Sequence, residues 1–340
     1  MREDAAWNEL LDEFCALGGT AENLCLKRGE FGRGLFPKDP TKPICLRVPE
    51  NLLFDVGDIV FDQGVLRVNA SSQVGNREKA WFERYENEFS WGGGGGAEVE
   101  RFRELLQALP ASPRDVLVTE FGLRAWLEEA SDEWIQKQFL GSRVMQYREH
   151  KVIMPILELA NHGPVGYLDC RDGISVTGQF GDEVLIHYGR SDAWARFLKF
   201  GFASDEPEAF SLPLTLTGNF GDLVVVREID KGEFIDVPSV GRVMLPHFVV
   251  DGERATLSFL ILGMTKAPGV PRGVLNRLFL QAGISDALDK FDLIQHANRM
   301  NFLKLLGSLE RLDGPLVWTL RQMSRFQLQA MSHCYGMIKV

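Results

Sequence analysis

The hydrophobic and polar positions at the start of the chain predict one helix followed by short strands. Between residues 4 and 17 apolar side chains recur at spacings of three and four, and a glycine pair directly follows. Between residues 24 and 49 short apolar runs alternate with glycine and proline, the pattern of strands joined by tight turns. We therefore expect a helix beside small strands in this region.

The rest of the chain alternates between helical and strand-like patterns. Helical spacing is found over residues 81–89, 98–109 and 119–130. Residues 151–202 contain an apolar run, a short β-rich segment and a further helical stretch. From residue 254 onward the pattern predicts helices, beginning with one over residues 255–264. By periodicity alone the fold class is α+β, with short strands first and a mostly helical region last.

Composition and charge narrow the classes of function. The 340 residues are 45% hydrophobic and 25% charged, which is ordinary for a soluble globular protein. The formal net charge of -10 argues against a general nucleic-acid-binding protein, because phosphate contacts need clustered Lys and Arg. An acidic surface suits a basic peptide or protein substrate, although many soluble proteins are simply acidic.

Neither a membrane segment nor a metal centre is predicted. The N-terminus carries two acids before any apolar run, and the longest apolar patch, residues 257–264, is too short to span a bilayer. Five scattered cysteines form no C-x-x-C pair, and the histidines show no spacing typical of metal ligands. We expect a cytoplasmic protein without metal.

The stretch from residue 151 to residue 202 carries the chemistry. Its apolar run stops at Asn161 and His162, two strongly hydrogen-bonding side chains that need partners where buried structure ends. The short β-rich segment that follows breaks at Tyr188 and Gly189. Two strand ends, one with Asn-His and the other with Tyr, could therefore converge on one spot.

These residues resemble the SET-domain methyltransferases, in the Rubisco large-subunit methyltransferase-like branch. The matching positions, in order and spacing, are Pro155, Glu158, Asn161, His162, Gly181-Asp182-Glu183, Tyr188-Gly189 and Phe200-Gly201-Phe202. The resemblance implies the SET architecture of small curved β-sheets with a helical insert and knot-like threading, followed by a mostly α-helical domain. It places the SET domain at residues 1–54 and 151–205, the insert at 55–150 and a helical substrate-binding domain at 206–340.

The same resemblance implies a site for S-adenosylmethionine and a catalytic residue. Tyr188 takes the position of the family's catalytic tyrosine. The implied cofactor-binding residues are Gly32, Arg33, Gly34, Ser142, Arg143, Glu158, Asn161, His162 and Phe200. From the residues alone, a G-x-G between strands is ordinarily a hairpin turn, and a tyrosine that ends a strand is ordinarily a packing residue. A surface salt bridge stays open as an alternative role for Arg143.

The activity implied is transfer of methyl groups to a lysine of a protein substrate, with no nucleic-acid or membrane partner. Two alternatives stay open: a protein-histidine methyltransferase, and a catalytically inactive SET-fold protein that acts as an interaction module. Three departures from the family pattern motivate the second alternative: Glu158 in place of Asp, Gly163 in place of a small hydroxyl residue, and Phe200 in place of Tyr. A fourth departure is Asp192-Ala193 in place of Ser-Asn.

Overall fold

The structure is a computed structural model of the 340-residue chain. It describes residues 2–62, 65–90, 93, 96–128, 131–163, 166–218, 221–227, 233–237, 241–252, 254–283 and 287–332. The chain divides into two compact units, the first made of Met1–Arg101 and Ala130–Gly189 and the second of Phe102–Glu129 and Arg190–Val340.

Helices and strands are both numerous, and most strands are short. The helices are α1 (Arg2–Ala16), α2 (Asn76–Glu88), α3 (Gly96–Gln107), α4 (Ala111–Thr119), α5 (Arg124–Glu128), α6 (Asp132–Arg143), α7 (Ala193–Phe200), α8 (Val270–Gln281), α9 (Ala287–Leu309) and α10 (Pro315–Ser332). The strands are β1 (Thr20–Glu22), β2 (Leu24–Gly29), β3 (Gly32–Pro37), β4 (Ile44–Val48), β5 (Phe54–Asp55), β6 (Ile59–Asp62), β7 (Val65–Val68), β8 (Val144–Tyr147), β9 (His150–Ile153), β10 (Asn161–His162), β11 (Ile174–Gly178), β12 (Leu185–Ile186), β13 (Glu208–Phe210), β14 (Leu214–Gly218), β15 (Gly221–Val226), β16 (Glu233–Val237), β17 (Gly241–Leu245), β18 (His247–Asp251), β19 (Arg254–Ser258) and β20 (Ile261–Met264). The predicted α+β class is confirmed.

The first unit is built from several small sheets around one core. Two sheets have three strands, ordered β1-β4-β11 and β5-β9-β8, and the pairs β2-β3 and β6-β7 are antiparallel hairpins. A third pair, β10 with β12, is parallel. Helix α1 covers the core with its apolar face, as its spacing predicts: Trp7, Leu10, Leu11 and Phe14 are all buried.

The second unit combines strands with the long helices of the chain's end. A four-stranded sheet has the order β14-β15-β19-β18, and β13 pairs with β20 and β16 with β17. Helices α8, α9 and α10 confirm the predicted helical C-terminal region, and their apolar faces form a second core with α4 and α7. No helix in the described ranges is long and apolar enough to cross a membrane.

Two sequence-based predictions about local structure are wrong. Residues 255–264 form the end of β19 and all of β20 instead of a helix: buried and half-buried residues alternate along β19, and Phe259 has φ 60° between the strands. An apolar run of this length does not distinguish strand from helix by periodicity. The helix predicted over residues 119–130 is split, because α4 ends at Thr119 and Gly122 takes φ 70° before α5 begins.

Candidate functional site

The parallel pairing of β10 with β12 brings two conspicuous motifs together in the first unit. Asn161 pairs with Leu185, and His162 pairs with Ile186. The approach to β10 is strained, since Ile156 has φ 68° and ψ -56° just before a 3-10 turn over Leu157–Leu159. A β-branched residue with positive φ is an outlier, and such strain clusters at functional sites. The convergence expected from the two strand ends is therefore present.

Tyr188 is fixed at this point by both its hydroxyl and its backbone. The hydroxyl donates to the carbonyl oxygen of Ala160 at 2.7 Å, and the backbone N–H donates to Nδ1 of His162 at 3.3 Å. The two rings lie 5.2 Å apart between centroids. Because the hydroxyl hydrogen is bonded to Ala160, the oxygen can take part in any further hydrogen bond only as an acceptor.

Asn161 joins the hairpin β2-β3 to the segment before β12. Its Nδ2 donates to the backbone oxygen of Arg33 at 3.3 Å and to Oε1 of Glu183 at 2.5 Å. This contact requires a glycine at position 34, because a Cβ there would lie 2.1 Å from Glu183 Oε1 and 2.6 Å from Asn161 Nδ2. Gly32 is needed for a different reason, since it leaves the hairpin turn with φ 95°.

Glu158 lies in a buried polar cluster with Arg143. Its Oε1 accepts the hydroxyls of Tyr85 and Ser90, each at 2.8 Å, and lies 3.5 Å from the Arg143 guanidinium. The Glu158 side chain is only 1% exposed and that of Arg143 is 22% exposed. Arg143 also stacks on the ring of Phe139, with its guanidinium carbon 4.3 Å from the ring centroid.

The electrostatics of this cluster keep Arg143 charged. Burial alone would lower the pKa of Arg143, but Glu158 first, and then Tyr85, Glu86 and Tyr188, raise that pKa above its usual value. Burial, followed by the negative charges of Glu158 and Glu86, raises the pKa of Tyr85 well above its usual value. A protonated Tyr85 and a cationic Arg143 therefore face Glu158 across the physiological pH range.

Two of the predicted cofactor-binding residues, Ser142 and Phe200, contact neighbours within their own segments of the chain. The Ser142 hydroxyl donates to the carbonyl oxygen of Phe139 at 2.8 Å, a bond inside its own helix α6. Phe200 belongs to the second unit, where it ends α7 and its ring lies 5.9 Å from that of Phe202. The remaining predicted cofactor residues all lie in the first unit with Tyr188.

Three partners of the site were missed by sequence reasoning. Tyr85 and Ser90 are separated from Glu158 by 73 and 68 positions, so no local spacing links them. A usable signal for Tyr85 was its place on the buried face of α2, a helix that is otherwise mostly polar. Glu183 stands in the motif, but its role as the partner of Asn161 depends on the fold.

Two of the residues that depart from the expected pattern, Gly163 and Asp192, have physical explanations in the structure. A Cβ at Gly163 would lie 2.6 Å from the Cβ of Leu185, so the close β10-β12 pairing favours glycine there. Asp192 is fully buried in the second unit and caps α7 by accepting from Ala195 N at 2.8 Å. The same carboxylate accepts from Phe210 N, from Arg227 and from Gln327, which a serine could not match.

Comparisons with known proteins find similarity at the level of structure. No protein-family model and no curated protein matches the chain. Among solved structures, the chain is similar to a structure of Rubisco LSMT bound to AdoMet, with 14% sequence identity and a TM-score of 0.44. The match covers 96% of this chain and 90% of that chain.

Proposed function

We propose that the chain is an S-adenosylmethionine-dependent methyltransferase that acts on a lysine side chain of a protein substrate. One observation carries the proposal: the parallel β10-β12 pair places Asn161, His162 and Tyr188 together, with the tyrosine hydroxyl fixed by Ala160. These are the residue types, in the same chain order, that a SET-type site uses.

The buried polar cluster supports a cofactor site. Oε2 of Glu158 and Nε of Arg143 are both buried and have no hydrogen-bond partner within the described ranges. Buried polar atoms are normally paired, so a ligand with both an acceptor and a donor would complete the cluster. The amino-acid end of S-adenosylmethionine carries a carboxylate and an ammonium group, which match Arg143 and Glu158 in charge.

The other cofactor contacts follow from the hairpin and β10. Arg33 would contribute its backbone, with Gly32 and Gly34 keeping the hairpin free of side chains. Asn161 and His162 would hold the amino-acid and adenine ends, and Ser142 completes the proposed set in the first unit. When bound, S-adenosylmethionine supplies an electrophilic methyl group on a positively charged sulfur.

The chain's main chemical task is to position a neutral amine. An ordinary lysine amine has a pKa near 10.4, so its proton has to leave to solvent before the nitrogen can attack. The Tyr188 oxygen, with its hydrogen directed at Ala160, can accept an N–H of that amine and direct the nitrogen lone pair towards the methyl group. The same oxygen places negative electrostatic potential beside the positive charge of the reacting centre.

The substrate class follows from chemistry and charge together. The methyl group of S-adenosylmethionine needs a neutral nitrogen nucleophile, which a deprotonated lysine amine provides, and the formal net charge of -10 suits a substrate protein that is basic around its target. Mass-spectrometric mapping of the methylated residue decides between lysine and histidine.

The first test is calorimetric titration of S-adenosylmethionine into the wild-type protein and the Asn161→Ala variant. We expect micromolar binding by the wild type and its loss in the variant, because Asn161 anchors the hairpin that forms the site. A folded wild-type protein that binds no S-adenosylmethionine contradicts the proposal.

Turnover is tested with a labelled-methyl screen of cell lysate proteins. Tyr188→Phe should keep cofactor binding and lower the methylation rate about 100-fold or more, the usual effect of removing one positioned polar group. Tyr167→Phe is the matched control, since Tyr167 is 78% exposed in the same unit. Equal rates for the two variants would remove Tyr188 from the mechanism.

A further inference from the structure

A small cleft lies between α1 and the β2-β3 hairpin, with a volume of about 190 Å³. Its lining residues are Asp4, Trp7, Leu26, Lys27, Arg28 and Arg33. In the hairpin register Arg28 is directly opposite Arg33, so their side chains share one face. Gly34 is the next residue along β3 and therefore presents the other face, where Asn161 and Glu183 lie. The arginine face is thus distinct from the face that Asn161 contacts.

The cleft carries an excess of positive charge. Like charges directly opposite each other on two strands destabilise the pairing, and Arg28 and Arg33 are such a pair. The Arg33 guanidinium donates to the neutral backbone carbonyl of Phe89. Arg28 has no acidic partner in the part of the chain that the structure describes. In a chain of net charge -10, this concentration of unneutralised cations points to an anionic ligand.

Trp7 provides a second, independent indication of a ligand. Its side chain is 97% buried, since only 3% is exposed, and it lines the cleft. Its indole Nε1–H has no acceptor among the described residues. The indole nitrogen is a donor only, and a buried donor without an acceptor costs free energy. An oxygen atom of an anion in the cleft would satisfy it.

We propose that this cleft binds the phosphate group of a small molecule, or inorganic phosphate itself. The Trp7 N–H donates one hydrogen bond, and the Arg28 and Arg33 guanidinium groups neutralise the charge. Guanidinium groups are well matched to phosphate oxygens.

The experiment follows the indole N–H signals of the seven tryptophans by ¹⁵N NMR while inorganic phosphate is added to the full chain. The Trp7→Phe variant identifies the Trp7 signal by its disappearance. We expect that signal to move as phosphate is added. If phosphate leaves it unmoved, the proposal is wrong.

Charge variants test the same site without touching the core. Arg28→Gln should weaken phosphate binding about tenfold, the loss expected for one hydrogen bond to a charged group. Arg171→Gln is the matched control: Arg171 has a 90% exposed side chain that pairs with Asp169 away from the cleft. Equal phosphate affinities in the two variants overturn the proposal.

Competition between phosphate and S-adenosylmethionine tests whether the cleft is separate from the cofactor site. We expect saturating S-adenosylmethionine to leave the phosphate affinity unchanged, because the arginine face lies opposite the Asn161 face. Displacement of phosphate by S-adenosylmethionine would assign the cleft to the cofactor site and overturn a separate phosphate site. A wild-type protein that binds phosphate but no S-adenosylmethionine would contradict the proposed methyltransferase and leave this inference standing.

Discussion

Replacing Arg143 by methionine should destabilise the first unit, because the buried Glu158 carboxylate would lose a counter-charge. The Glu158 side chain is 1% exposed, and its remaining partners would be two neutral hydroxyl donors at 2.8 Å. Breaking a buried ion pair costs about 3–5 kcal/mol. Arg143 is 22% exposed, so water reaches part of the pair and we expect a smaller loss, about 2–3 kcal/mol. Methionine keeps most of the packing on the Phe139 ring.

A double-mutant cycle isolates the charge interaction from packing. Glu158→Gln keeps an acceptor oxygen for the hydroxyls of Tyr85 and Ser90 but removes the charge. In that background Arg143→Met should cost less than in the wild type, with a coupling of about 1–3 kcal/mol. Free energies of unfolding from urea titrations, followed by tryptophan fluorescence, give the four corners of the cycle. Effects that add within about 0.5 kcal/mol would refute the reasoning.

The wild type and the three variants of this cycle also distinguish a role of the Arg143–Glu158 pair in stability from a role in cofactor binding. The double variant should be more stable than Arg143→Met alone, since neither buried charge is left without its counter-charge. It should nevertheless fail to bind S-adenosylmethionine, because both groups assigned to the cofactor's amino-acid end are gone. Cofactor binding by the double variant with wild-type affinity would show that this pair serves the fold alone.

Three further predictions concern single positions. Gly34→Ala should weaken cofactor binding in calorimetry, because the new Cβ would lie 2.1 Å from the Glu183 carboxylate and displace it. Gly141→Ala in α6 is the control: nothing lies within 4 Å of its Cβ, so binding should be unchanged. Burial raises the pKa of Glu208 despite its ion pair, so its stabilising contribution is present in acid and is lost as pH rises through that raised pKa. In urea titrations the stability of the wild type relative to Glu208→Gln should therefore fall as the pH rises above the ordinary carboxyl pKa. Asp192→Asn should cost about 3–5 kcal/mol in the same assay, because a fully buried carboxylate with an arginine partner loses its charge.

Each of these expectations has a result that contradicts it. Equal cofactor affinity in Gly34→Ala and Gly141→Ala would show that the glycine face of the hairpin does not shape the site. A stability difference between wild type and Glu208→Gln that is constant with pH would mean that burial of Glu208 is unimportant. A loss below about 1 kcal/mol in Asp192→Asn would mean that its neutral hydrogen bonds suffice.

The sequence alone determined the features that depend on local spacing. The face of α1, the amphipathic α7 and the three long C-terminal helices follow from a 3.6-residue period that each segment carries by itself. The approach of Asn161 and His162 to Tyr188 was also predictable in outline, because each motif marks the end of an apolar run. The apolar face that a segment can bury depends only on the spacing of its own residues.

Tertiary structure alone decided which distant residues meet. The Glu158 cluster joins α2, the end of α6 and the 3-10 turn before β10, and the Asp192 carboxylate serves donors from three other elements of the second unit. Trp7 and Arg28 line one cleft although one lies on a helix and the other on a strand. The strands over residues 254–264 likewise depend on their neighbours in β13 and β15. A buried polar atom needs a partner of the right chemistry, but its sequence position does not specify which partner packing will bring within reach.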